Sequence, residues 1–99
     1  MSPAYVAAKH GVVGLTKAAA LSYATRNVRI NAIGPAYIRT PLIEKSLDEA
    51  TINALIGLHP IGRLGEPNEV AELALWLISD KASFVTGAYY AVDGGYLAQ

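Results

Sequence analysis

Cysteine is absent from the 99 residues, which excludes a disulfide framework and any thiolate metal site. A surplus of one charge sign is absent too, since eight Lys and Arg balance eight Asp and Glu. The basic residues Lys9, Lys17, Arg26, Arg29, Arg39, Lys45, Arg63 and Lys81 are dispersed along the chain. They form no electrostatic footprint for nucleic acid or an anionic membrane, so neither partner is expected. No apolar run reaches the ~20 residues a membrane span needs, and no charged segment followed by an apolar one opens the chain. A cytoplasmic protein is the resulting expectation. His10 and His59 stand apart, with no second ligand at metal-binding spacing. No metal is expected, and solvent-facing or capping roles suit both histidines.

Charge as a whole is scarce. Charged residues make up 16% of the chain and hydrophobic ones 53%, where a globular domain usually carries ~25% charged residues. A domain this small buries only ~60–65% of its unfolded surface and needs more polar skin, not less. The composition therefore predicts a piece that packs against more protein, either further sequence or another subunit.

What is present reads as alternating helix and strand. Ser2-Pro3 gives a hydroxyl N-cap followed by Pro at the first helical position, and the helical pattern runs to about Thr25. Tyr5, Lys9, Val12, Thr16 and Tyr23 share one face of that helix. Ala7, Gly11, Gly14 and Ala18 form a stripe of small residues on the roughly opposite face, over which a second helix could approach closely. Arg26-Asn27 breaks the pattern, and the β-branched run Val28–Ile33 predicts a strand ended by Gly34-Pro35. Short helices are expected at 41–46 and 48–57, with turns at His59-Pro60 and Gly65. Pro67 restarts a helix in which Val70, Leu73, Ala74, Leu77 and Ile78 repeat at helical spacing. Ala71, Leu75 and Trp76 widen its apolar surface, so coverage on two sides is expected. Thr86-Gly87 turns, Tyr89–Val92 reads as a second strand, and Asp93-Gly94-Gly95 stops it as a turn rather than a phosphate nest. Strands separated by helical crossovers imply a parallel α/β sheet. Two strands alone leave both sheet edges open, which again asks for more protein.

Tyr5 and Lys9 lie four residues apart, within mutual reach on one helical face. A phenol titrating near ~10 is a weak acid–base catalyst at neutral pH. A neighbouring ammonium stabilises the phenolate and readies it for proton exchange with a carbonyl or alcohol oxygen. By itself the spacing also suits an ordinary exposed Tyr/Lys pair. The surrounding blocks add to it. Residues 2–17, with Tyr5 and Lys9, resemble the active-site helix of the short-chain dehydrogenase/reductase family. Residues 28–41 resemble its next strand and the loop beside the nicotinamide. Gly62-Arg63 followed by Glu66-Pro67 and Glu69-Val70-Ala71 is similar to the family's penultimate helix and its approach. Thr86-Gly87 with Val92-Asp93-Gly94-Gly95 is similar to its closing strand. The four blocks follow the family's order and span nearly the whole chain.

The resemblance implies the C-terminal part of a Rossmann-type doubly wound parallel sheet, with residues 1–99 forming one portion of a single NAD(P)-binding domain. It implies hydride transfer between NAD or NADP and a small alcohol or ketone. Tyr5 would exchange the proton with the substrate oxygen, and Lys9 would assist it and bind the nicotinamide ribose. Ile38 would offer its backbone to the nicotinamide carboxamide, Thr40 its hydroxyl near that amide and the pyrophosphate, and Pro35 would shape the loop. Ala36 stands where the family commonly has Gly. The tail from Asp93 to Gln99 resembles termini that meet across a tetramer axis, some with a divalent cation, so a homodimer or homotetramer is implied. The family's Gly-rich phosphate turn, its Asn-Asn-Ala-Gly segment and its catalytic Ser are not found here, and Ser2 lies too close to Tyr5 to serve as the last. A second reading therefore stays open: an inactive fragment that acts only by docking onto other subunits.

Overall fold

A computed structural model describes residues 2–99. Helix α1 spans Pro3–Tyr23 and is capped by the Ser2 hydroxyl, which accepts from the Tyr5 N–H. A 3-10 turn at Ala24–Arg26 follows, and Asn27 adopts a left-handed conformation with φ 60°. Asn tolerates that region, so the break expected at Arg26-Asn27 has a definite geometry. Strand β1 is Ala32–Pro35, α2 is Pro41–Ser46, α3 is Glu49–Gly57, α4 is Pro67–Ile78, and β2 is Tyr89–Val92. Short 3-10 turns sit at Asp80–Ala82 and Tyr96–Ala98. Two further helices are capped by side chains: Thr40 Oγ1 accepts from Ile43 N–H, and Asp48 accepts from Thr51 N–H at 2.8 Å. Thr51's side chain and amide hold the Asp48 carboxyl below its ordinary range.

The two strands pair as a parallel two-stranded sheet. The first strand, however, lies later than the sequence implied, at Ala32–Pro35 instead of Val28–Ile33. Side chains account for the shift. Ile30 N–H is bound by the Thr86 hydroxyl rather than by a strand carbonyl. Asn31 spends its side-chain amide on residues 85 and 88, so the regular ladder starts at Ala32, whose N–H reaches Ala88 O at 2.9 Å. Pro35 is tolerated as the last strand residue, where no N–H has to be donated.

The chain divides into two compact units, Met1–Ile33 with Trp76–Tyr90 and Gly34–Leu75 with Ala91–Gln99. In the first unit Thr16 and Ala20 are the buried residues of α1. Gly87, with φ +77°, brings its backbone close to Ala20; an added Cβ would stand 3.4 Å from the Ala20 methyl. Arg29 fixes this unit's other side, donating from Nη1 to Leu77 O (2.7 Å) and Val85 O (3.2 Å) and from Nη2 to Ser79 O (3.0 Å). The small-residue stripe is left uncovered among the described residues: beyond the helix itself, none of their atoms lies within 4 Å of a Cβ placed at Gly11 or Gly14.

In the second unit Leu64 is the most deeply buried side chain, and His59 is buried as well. The solvent-facing alternative for His59 is thus corrected, because its ring has backbone partners on both nitrogens. His10 is exposed and bonds Val6 O within its own helix. Helix α4 is covered along one side only among the described residues: Leu77 is buried, whereas Ala71, Leu75, Trp76 and Ile78 are exposed. The expected second cover is not supplied by residues 2–99.

Asn31 offers a direct stability test. Its amide donates to Val85 O and its carbonyl accepts from Ala88 N–H. Asn31→Leu keeps the approximate volume but leaves Ala88 N–H without its side-chain partner and Val85 O with Arg29 alone, so a loss of about 1–3 kcal/mol is expected in urea unfolding. An unchanged midpoint would show that the amide does not hold the two segments together.

Candidate active site and cofactor loop

Tyr5 and Lys9 come from the first two turns of α1, where the Ser2 cap and Pro3 start the helix. The helical spacing brings the Lys9 ammonium to 5.1 Å from the centre of the Tyr5 ring. Tyr5 remains 53% exposed. These two residues belong to the first unit, and Pro35, Ala36, Ile38 and Thr40 belong to the second.

The loop after β1 is built around one isolated parallel bridge, Ile38 with Gly65. Gly65 N–H donates to Tyr37 O at 3.1 Å, and Arg39 N–H donates to Gly65 O at 2.8 Å. In such a bridge the bonds come from the residues flanking Ile38, so the N–H and C=O of Ile38 itself point to the opposite edge. Both lack a hydrogen-bond partner among the described residues. A donor and an acceptor side by side match a primary carboxamide, which presents one of each. Gly65 is needed for the approach, since a Cβ there would fall 2.6 Å from Ile38 Cδ1. Thr40 caps α2 with its oxygen, and its hydroxyl hydrogen stays available for donation. Pro35 ends β1, and Ala36 leads into the bridge.

The turn that supplies Gly65 is tied to α4. Arg63 and Glu69 form a two-pronged pair, Nη1 to Oε1 at 2.7 Å and Nη2 to Oε2 at 3.0 Å. Glu69 Oε1 also accepts from Glu66 N–H, just ahead of the helix. The Arg63 guanidinium, with the Glu66 amide, holds the Glu69 carboxyl down from the ordinary 4.5 to about 2. Sequence reasoning matched this stretch to the family without seeing the pair. The spacing of Arg63 and Glu69 across Pro67 was the signal that could have revealed it.

A cavity of ≈ 50 Å³ lies in the second unit, lined by Ile38, His59, Ile61, Arg63, Gly65 and Asp93 among others. Organic ligands usually need ~300–1,000 Å³, so it holds at most water. Asp93 closes the chain locally, accepting from Gly95 N–H and Leu97 N–H. Those amides are thereby used by the chain's own carboxylate, in keeping with a turn and not a phosphate nest. No group of three His, Cys, Asp or Glu side chains among the described residues could hold a metal ion. No helix among them is long and apolar enough to cross a membrane.

Residues 1–97 match the family described as enoyl-(acyl carrier protein) reductase, and the chain belongs to the short-chain dehydrogenases/reductases. It is 59% identical over 95 residues to cyclohexanol dehydrogenase of Acinetobacter sp. (strain SE19), covering 96% of this chain and 36% of that protein. It is 50% identical over 97 residues to cis-4-hydroxycyclohexanecarboxylate dehydrogenase of Sinomonas cyclohexanicum, covering 98% and 39%. A crystal structure from Agrobacterium tumefaciens, provisionally assigned as a 2-deoxy-d-gluconate 3-dehydrogenase and solved with bound NADP, superposes with a TM-score of 0.89 at 44% identity. That match covers 98% of this chain and 40% of the other. The fold is therefore part of the Rossmann-type fold of these enzymes, and the chain spans under half the length of the relatives it matches.

The Glu69 shift gives a pH prediction. A carboxyl whose value falls on folding stabilises the native state fully above about pH 4.5 and loses that contribution as pH falls toward about 2. The thermal midpoint of the unaltered chain should drop more steeply across that window than that of Glu69→Gln. Parallel curves for the two would mean that the exposed pair with Arg63 adds nothing.

Proposed function

We propose that residues 1–99 are the C-terminal portion of a single NAD(P)-binding Rossmann-like domain, and that the whole protein interconverts a small secondary alcohol and its ketone. The observation that supports this is the open N–H and C=O of Ile38, set by the Gly65 bridge on a loop whose sequence resembles the family's loop beside the nicotinamide. When bound, NAD or NADP supplies or takes up the hydride. The chain's residues then have distinct tasks. Tyr5 gives its hydroxyl proton to the ketone oxygen, or receives one from the alcohol. Lys9, held beside the Tyr5 ring, donates to the nicotinamide ribose. Ile38 offers the carboxamide its peptide edge, Thr40 donates its remaining hydroxyl hydrogen, and Pro35 with Ala36 sets the entry of the loop. The two relatives named for cyclohexane-ring alcohols make cyclohexanol the first substrate to try. Assembly as a homodimer or homotetramer belongs to the same proposal.

Tyr5→Phe removes one oxygen and leaves the helix intact. In the whole protein it should lower kcat for NADP- or NAD-linked oxidation of cyclohexanol by about 10²–10⁴-fold, the usual reach of a general acid–base group. The cofactor's dissociation constant, read from the fluorescence of NADH and NADPH, should stay within a few fold. Near-normal turnover by the variant would refute the proton-transfer role.

One observation favours a second reading for the 99 residues by themselves. The stripe Ala7, Gly11, Gly14, Ala18 is exposed, as are Leu15, Leu21 and Phe84. A chain with this much apolar surface acts as a docking piece when the remainder of the domain is not beside it. Saturable NADH or NADPH binding by the isolated chain would argue against that reading.

A further inference from the structure

His59 is 4% exposed, yet it takes no part in the roles assigned above. Its Nδ1 lies 2.7 Å from Leu55 O, and its Nε2 lies 3.4 Å from Tyr37 N. A carbonyl can only accept and a backbone N–H can only donate. The ring must therefore carry its proton on Nδ1 and present a bare Nε2, which is the neutral imidazole. The Tyr37 and Tyr96 rings pack on it edgewise or tilted, with centroids 5.9 and 5.5 Å away, and fix its plane.

The position of Tyr37 N–H is what gives this contact a role. In an extended segment the N–H and C=O of one residue share an edge. Tyr37 N–H to His59, Tyr37 O to Gly65 N–H and Arg39 N–H to Gly65 O therefore lie along one edge of residues 37–39. The imidazole extends the short ladder begun by Gly65, standing where a neighbouring strand's carbonyl would be. The opposite edge is that of Ile38. We propose that His59 is a positioning residue, whose neutral ring clamps the Tyr37 amide and so holds the Ile38 peptide groups in register for the cofactor's carboxamide. This rests on the reading of Ile38 given above.

Two variants separate the ring's two nitrogens. His59→Asn can keep a donor near Leu55 O but cannot reach Tyr37. His59→Gln can place an acceptor near the Nε2 position. In the whole protein, His59→Asn should speed hydrogen exchange at the Tyr37 amide and raise KM for NADP or NAD by about threefold to tenfold, the range one neutral hydrogen bond commands. Its kcat should stay within about twofold, because no reacting atom is touched. His59→Gln should restore both readings toward those of the unaltered protein. Equal KM changes in the two variants, or faster Tyr37 exchange with unchanged KM, would overturn the positioning role and leave the functional reading standing. Absence of any cofactor-dependent turnover in the unaltered protein would instead overturn the functional reading and this proposal with it. Nitrogen-15 NMR of the unaltered protein adds a test that needs no variant: protonated Nδ1 with bare Nε2 supports the clamp, and the opposite tautomer refutes it.

Discussion

The first unit depends on one tether, the hydrogen bonds that Arg29 and Asn31 cast across about fifty residues of sequence. Arg29 gathers the carbonyls of Leu77, Ser79 and Val85, and Asn31 joins Val85 to Ala88. A guanidinium can serve three acceptors at once because its donors form a rigid planar fork. The C-terminal end of α4, the 3-10 turn after it and the approach to β2 are all held by these two side chains. Because the tether ends at residue 31, the regular strand begins at Ala32, and the loop bearing Ile38 and Thr40 starts accordingly late.

In the second unit the constraint is the narrow gap at Gly65. Only a residue without a Cβ lets the turn lie against Ile38 without pushing its side chain aside. The Arg63–Glu69 pair secures that turn to the first turn of α4. The result is a peptide edge with both hydrogen-bonding groups free, built from backbone alone. A site of this kind does not depend on the identity of the Ile38 side chain, and it is invisible to any search for catalytic residue types.

The unusual composition also finds its physical place. The hydrophobic excess does not form a large core: among the described residues Ala20, Ala32, Leu64, Leu77 and Ala82 are the buried apolar ones, and large side chains such as Leu15, Leu21, Leu42, Ile78 and Phe84 stand largely in solvent. A chain of this size that bears so much exposed apolar surface is marginal unless more protein covers it. The coverage of 36–40% of the matched relatives' length points the same way.

Local chemistry was legible in the sequence. The Ser2-Pro3 start of α1, the bounds of α2, α4 and β2, the Asn27 break and the turn at Asp93 follow from caps, proline, glycine and periodicity, which act over a few residues. The four-residue spacing of Tyr5 and Lys9 likewise needed only helical geometry. What tertiary structure alone decided was everything set by partners distant in sequence. Val28–Ile30 has the composition of a strand, but Thr86 takes the Ile30 N–H, Val85 and Ala88 engage the neighbouring Asn31 side chain, and β1 lies at Ala32–Pro35. His59 reads as a solvent-facing or capping residue, and only the folded chain shows it buried against Tyr37, Leu55 and Tyr96. The open edge of Ile38 exists because Gly65, twenty-seven residues later, takes the other edge. Propensity acts through neighbours along the chain, whereas hydrogen-bond competition is resolved only once remote segments meet.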